Sequence, residues 1–113
     1  MTIVREQVSL ADLDGVAKAQ FGELVKAVVD IERCVMAIGG ELHSDEEALL
    51  LEDGSKQQHL WGINLYPAVR DENWIEFDSM INIRPSQGNR SRGVDDAVTR
   101  KAIVAVVGRL VAR

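Results

Sequence analysis

Cysteine is all but missing from this chain: Cys34 is the only one among 113 residues. An internal disulfide is therefore excluded, and the lone thiol, set in an apolar run, reads as a small hydrophobe in a reduced, cytoplasmic setting. Histidine is scarce too, with only His43 and His59. With one cysteine and two distant histidines, no Cys-His or Ser-His-Asp arrangement can be argued. No apolar run approaches the roughly 20 residues that a membrane-crossing helix needs. The opening MTIVREQVSLADLDG lacks the basic-then-apolar order of a signal peptide. Proline occurs twice, and no Pro-, Gly- or Ser-rich stretch marks a linker, so residues 1–113 read as a single domain. Excess positive charge is also lacking. The net charge is −5 and the isoelectric point near 5.0, which speaks against binding duplex nucleic acid through its phosphates.

What is present is an ordinary globular composition, 46% apolar and 27% charged, enough to bury a core at this length. The most patterned stretch is WIEFDSMINIRPSQGNRSRG, residues 74–93. Ile75, Phe77, Ile81 and Ile83 share one parity, broken only at Ser79, while Glu76, Asp78, Asn82 and Arg84 share the other. Period two predicts a long strand over 74–83 with one apolar and one polar face. The loop that follows carries Arg84, Arg90 and Arg92 and no acid up to Gly93.

Along the rest of the chain, residues 2–5 suggest a short strand. Ser9, with Asp12 three residues on, suggests a capped helix over 10–21 that stops at Gly22. Residues 24–31 and 34–39 read as a hairpin turning near Arg33, although the turn lacks the usual Gly or Asn. Ser44 and Glu47 form a capping-box pattern for a helix over 45–53, with Asp45, Glu46 and Glu47 suited to its positive end. Residues 59–66 make another strand, with Trp61, Ile63 and Leu65 facing the core. Asp95 caps a last helix whose apolar stripe is Val98, Ala102, Ile103, Val106, Val107 and Leu110. The order β-α-β-β-α-β-β-α predicts an α+β two-layer sandwich: a mostly antiparallel sheet of four to five strands with three helices on one face. The other face, with Lys26, Asp30, Glu32, Asn64, Tyr66, Glu76, Asp78, Asn82 and Arg84, would then be open to water.

Three groups of residues could carry chemistry. Guanidinium groups fork onto phosphate or carboxylate oxygens, so Arg84, Arg90 and Arg92 suit a small anion. The plainer alternative pairs these arginines with the acids of residues 41–53. Glu41, His43 and Asp45 would share one side if extended, but a capping role for Ser44 and Asp45 competes with a metal site there, and no metal is expected. Glu76 and Asp78 sit about 7 Å apart on one strand face, where carboxylates are ordinarily just solvated.

The runs VKAVVDIE, MAIGGELHSDEEALLLEDGS, LWGINLYP and EFDSMINIRPSQGNRSRG resemble a family of small bacterial and archaeal proteins known only as a domain of unknown function. The resemblance runs from about Phe21 to the C-terminus. It implies no activity and no cofactor, and it singles out residues 41–47 and 82–92. The expectation is a small soluble protein that holds a phosphate- or carboxylate-bearing ligand. Arg84, Arg90 and Arg92 would grip the anion, Asn82, Gln87 and Asn89 would orient it, and Glu41 and His43 would stand nearby. The alternative is an interaction protein, a homodimer through the open sheet face, with the arginines in structural ion pairs.

Overall fold

The valine-rich run VKAVVD and the run LWGINL pair at the centre of the sheet in this computed structural model, which describes residues 1–113. Five strands form one antiparallel sheet: β1 (Thr2–Val4), β3 (Val25–Asp30), β4 (Val35–Ile38), β5 (Leu60–Leu65) and β6 (Ile75–Glu76). Their spatial order is β1-β4-β3-β5-β6. Two further segments, β2 (Val8–Ser9) and β7 (Val111–Ala112), pair in parallel and were not expected from the sequence. The helices are α1 (Leu10–Ala19), α2 (His43–Glu52) and α3 (Ala97–Leu110). The α+β class, the three helices and the antiparallel sheet are as the sequence predicts.

The placement of the helices differs from that expectation. Alternation along each strand splits the core in two. Val25, Ala27, Val29, Met36, Ile38, Trp61, Ile63 and Leu65 pack with α1 and α3 through Leu13, Ala17, Ile103, Val106, Val107 and Leu110. Val28, Val35, Ala37 and Leu60 point the other way and pack around Leu50 of α2. The sheet is thus covered on both sides, α2 lies opposite α1 and α3, and the face expected to be open is partly closed. The physical reason is that β4 is apolar on both parities, and with Val28 and Leu60 beside it in the neighbouring strands it gives the sheet a second face to bury. Burying Leu50 and Leu60 completely is worth about 1.5–3 kcal/mol each, a gain available only if an element covers that side.

Local chemistry sets the ends of the elements. Ser9 and Asp12 form the capping box of α1: the Ser9 hydroxyl accepts from Asp12 N at 3.0 Å, and Asp12 Oδ2 accepts from Ser9 N at 3.4 Å. The β3–β4 hairpin turns without glycine. Asp30 Oδ1 accepts from the backbone of both Glu32 and Arg33, at 2.9 Å each, and Cys34 takes φ +53°. A non-glycine residue in that left-handed region costs about 1–2 kcal/mol, which the buried Asp30 side chain offsets. Ser55 Oγ donates to the other oxygen of Asp30 at 2.7 Å, and Arg33 bridges Ser55 and Asp53. Asp53 also pairs with Arg5, and these two guanidinium hydrogen bonds hold its carboxyl down to about 2.

α2 begins two residues earlier than the Ser44–Glu47 pattern implies. Leu42 is its N-cap and provides no side-chain bond. The start is fixed instead by Glu46, which is fully buried and accepts the Gly40 N–H at 3.0 Å. Gly40 has to be glycine here, since a Cβ would lie 2.7 Å from Glu46 Cγ. α3 is capped by Asp96, whose carboxylate accepts from Thr99 N at 3.1 Å, and not by Asp95. Val98, assigned to the apolar stripe of that helix, is 73% exposed.

The expected long strand over 74–83 ends after Glu76. The register that pairs Asn64 with Glu76 would bring Asp78 opposite Gly62. At that point a side chain replaces the strand: Asn82 Oδ1 accepts Gly62 N–H at 2.8 Å and Asn82 Nδ2 donates to Gly62 O at 2.9 Å. Ser79, where the period-two pattern breaks, caps a 3-10 turn over Met80–Asn82. That turn presses on Gly62 so closely that a Cβ there would sit 2.5 Å from Ser79 Cβ. Gly62→Ala should therefore lower stability by about 2 kcal/mol through overpacking, read as a drop in the urea midpoint at unchanged slope. An unaltered midpoint would show that residues 79–81 can retreat freely.

Candidate functional site

The uncovered part of the second sheet face is a cleft of about 520 Å³. Its floor is sheet, with Lys26 from β3, Asn64 from β5 and Glu76 from β6. One wall is the first turn of α2 (Leu42, His43, Ser44). The other is the chain from Asp78 to Ile81, with Arg92 beside it. Alternation puts Lys26, Asn64 and Glu76 on the same side of the sheet. The cleft exists because α2 covers only the Val28–Leu60 end of that face.

His43 is buried, and its Nε2 lies 2.8 Å from Ile63 O. A carbonyl can only accept, so Nε2 carries the hydrogen and Nδ1 keeps its lone pair. Burial pushes the imidazole below its usual range, assisted by the nearby Lys26 charge and opposed by the Ile63 hydrogen bond. The ring is neutral at pH 7. Asn64 is only 7% exposed; its Nδ2 donates to Glu76 Oε1 at 2.8 Å and to Asp78 O at 3.3 Å. Two acceptors on that side fix the orientation of the amide, and its Oδ1 is left with no donor. Glu76 Oε1 also accepts from the Tyr66 hydroxyl at 3.2 Å. Burial, followed by the charge of Glu76, pushes the Tyr66 phenol up.

Arg92 Nε donates to Asp78 at 2.7 Å, which leaves its terminal nitrogens free of protein partners. Lys26 makes no ion pair and stands 5.2 Å from the Phe21 ring. Because α2 has no side-chain cap, the His43 and Ser44 N–H groups of its first turn have no partner in the protein. Such N–H groups, at the positive end of a helix dipole, favour an anion.

Of the residues expected to hold a ligand, His43 and Arg92 line this cleft, together with the carboxylate pair Glu76 and Asp78. Asn82 and Asn89 are buried and organise main chain. Asn89 Nδ2 reaches Asn82 O at 2.7 Å and Gly93 O at 2.9 Å, while its Oδ1 accepts Asp95 N at 2.8 Å. Arg84 turns inward. Its guanidinium donates to Gln57 O and, at 2.6 Å, to Leu60 O, and stacks 4.1 Å from the Trp61 ring. Burial lowers its pKa, with the Glu47 charge opposing. Gln87 donates to Gln58 O at 3.2 Å and lines a separate, smaller hollow with Trp61 and Thr99. Arg90 and Glu41 are exposed and lie outside the cleft.

The three arginines do not converge. The loop closes on itself through an Arg84–Asn89 bridge, with Gly88 at φ +79° making the turn. Nor do they pair with the acids of residues 41–53: Arg92 takes Asp78, and Asp53 is held by Arg5 and Arg33. No group of three His, Cys, Asp or Glu side chains is placed to hold a metal ion. The sheet face assigned to a dimer partner is where α2 packs, while the outer sides of the edge strands β1 and β6 are left unpaired. No helix is long and apolar enough to cross a membrane.

Sequence reasoning grouped Lys26, Asn64, Glu76 and Asp78 as one wet strand face but not as a site. What the sequence did not reveal is the helix that turns that face into a cleft.

Residues 2–110 match the model of the family described as "Protein of unknown function (DUF5674)". No curated protein and no solved structure matches the chain. The chain belongs to the DUF5674 family.

Proposed function

We propose that this DUF5674 protein binds a small molecule bearing a carboxylate or phosphate in the cleft beside α2. The observation that supports this reading is the meeting, on one hollow, of an ammonium without an ion pair, a guanidinium with terminal nitrogens to spare and an uncapped helix start. Lys26 and Arg92 supply charge, and the His43 and Ser44 N–H groups supply directed hydrogen bonds. The anion therefore sits at Arg92, and neither the inward-turned Arg84 nor the exposed Arg90 holds it.

An NMR titration with phosphate, succinate and citrate at low ionic strength tests this. The amides of residues 43, 44 and 64 should shift in a saturable way. Lys26→Met, which keeps the aliphatic stem and removes the charge, should weaken binding at least tenfold, roughly 1.4 kcal/mol. Shifts confined to residues 84–90, or none at all, would overturn the reading.

A further inference from the structure

We infer that the ligand of this cleft is a zwitterion, a free α-amino acid or a close analogue, whose ammonium group lies against Glu76 and His43 while its carboxylate takes Lys26, Arg92 and the first turn of α2. This rests on the anion-binding reading above and adds a second charge to the ligand.

The cleft is not a basic pocket. Lys26 and Arg92 are matched by Glu76 and Asp78, and His43 is neutral. A bare dianion would also meet two carboxylates, and the like charges make it a weaker ligand than a zwitterion. A molecule with both signs meets neither conflict.

The acceptors point to the same chemistry. Asn64, its amide oriented by Glu76 Oε1 and Asp78 O, holds the Glu76 carboxylate in place on the floor of the hollow. Glu76 engages only one carboxylate oxygen with the protein, leaving Oε2 free. His43 Nδ1 keeps a lone pair because Nε2 is committed to Ile63 O. Glu76 Oε2 and His43 Nδ1 are acceptors without a protein donor on two residues that line the hollow, and an ammonium group has N–H bonds to give to both. Leu24, Leu42, Met80 and Ile81 complete the lining with apolar surface, suited to an aliphatic side chain.

The test is a titration of the full chain with the twenty free α-amino acids, alongside 4-methylpentanoate and succinate as carboxylates without the ammonium and isoamylamine as the amine without the carboxylate. At least one amino acid should bind tenfold more tightly than every one of these three. Glu76→Gln, at an exposed position, should lower the affinity for that amino acid and raise the affinity for succinate. These opposite signs separate a charge effect from a general loosening of the fold. If the carboxylates bind and no amino acid binds better, the zwitterion is refuted and the anion site stands. If isoamylamine matches the best amino acid, the carboxylate end is wrong. If nothing binds, phosphate included, both readings fall together.

Discussion

Replacing Asn82 with alanine should lower the unfolding free energy by about 3 kcal/mol, because two buried backbone groups lose their partner at once and each orphan costs about 1–3 kcal/mol. The groups are Gly62 N–H and Gly62 C=O; the Arg92 carbonyl, which accepts from Asn82 Nδ2 at 3.0 Å, keeps its second donor, Ser79 N–H at 2.9 Å. Asn82 is fully buried, so water cannot take over these bonds without opening the segment. Asn82→Asp sharpens the test. One carboxylate oxygen could still accept Gly62 N–H, but the other would face two carbonyls with no hydrogen to offer. Aspartate should therefore destabilise at least as much as alanine, against the usual ranking for an isosteric change. Urea unfolding followed by circular dichroism would show it. An aspartate variant near wild-type stability would mean that the amide does not stand in for a strand.

The second large effect is on pH. Burial pushes Glu46 up from 4.5 to about 9, against the Gly40 hydrogen bond and the charges of Lys26 and the N-terminus, which pull it down. Below pH 4.5 the carboxyl holds its proton in both folded and unfolded chains, and the full stability is present. As pH rises, the unfolded chain releases the proton and the folded one retains it, so stability falls until pH passes about 9. The slope approaches 1.4 kcal/mol per pH unit at most, roughly. His43 acts in the other direction: its lowered pKa means stability is lost as pH falls below 6.5. The two oppose each other just below pH 6.5, and Glu46 acts alone from 6.5 to 9. Glu46→Gln keeps an acceptor for Gly40 N–H and cannot ionise. Its stability should be nearly flat over pH 6.5–9 and exceed that of the wild type at pH 8 by a few kcal/mol in order of magnitude. Parallel profiles for the two proteins would rule out Glu46 as the source.

What could be read from the sequence was whatever repeats. The period-two runs gave β3, β4 and β5, and the Ser9–Asp12 box gave the start of α1. Ile103, Val106, Val107 and Leu110 gave the buried stripe of α3. VMAI is apolar on both parities, which is the signature of a strand covered on both sides, and Val28 and Leu60 add to that second apolar side. Reading these strands as one-faced put α2 in the wrong layer. The end of β6 was hidden for another reason. A side-chain amide that replaces a main-chain partner leaves no periodic trace, and Asn82 fits a strand pattern as well as a turn. Arg84 was misleading because burial and exposure of a guanidinium look alike in sequence; the Trp61 face and the carbonyls of Gln57 and Leu60, which draw it inward, lie more than twenty positions away. The cleft residues were visible as a face, and His43 as a polar neighbour. Their meeting depended on where α2 packs, which no local pattern encodes.

The outer flank of β5 has a consequence for how this molecule behaves in a crowd. Beyond the two residues of β6, the flank is finished by side chains, with Asn82 on Gly62 and Arg84 on Leu60. An incoming peptide therefore finds no row of vacant main-chain groups to zip onto there, and strand addition from molecule to molecule is blocked along that part of β5. The same two residues that look like ligand contacts in the sequence act as a guard on that flank of β5 alone, while β1 keeps an open edge.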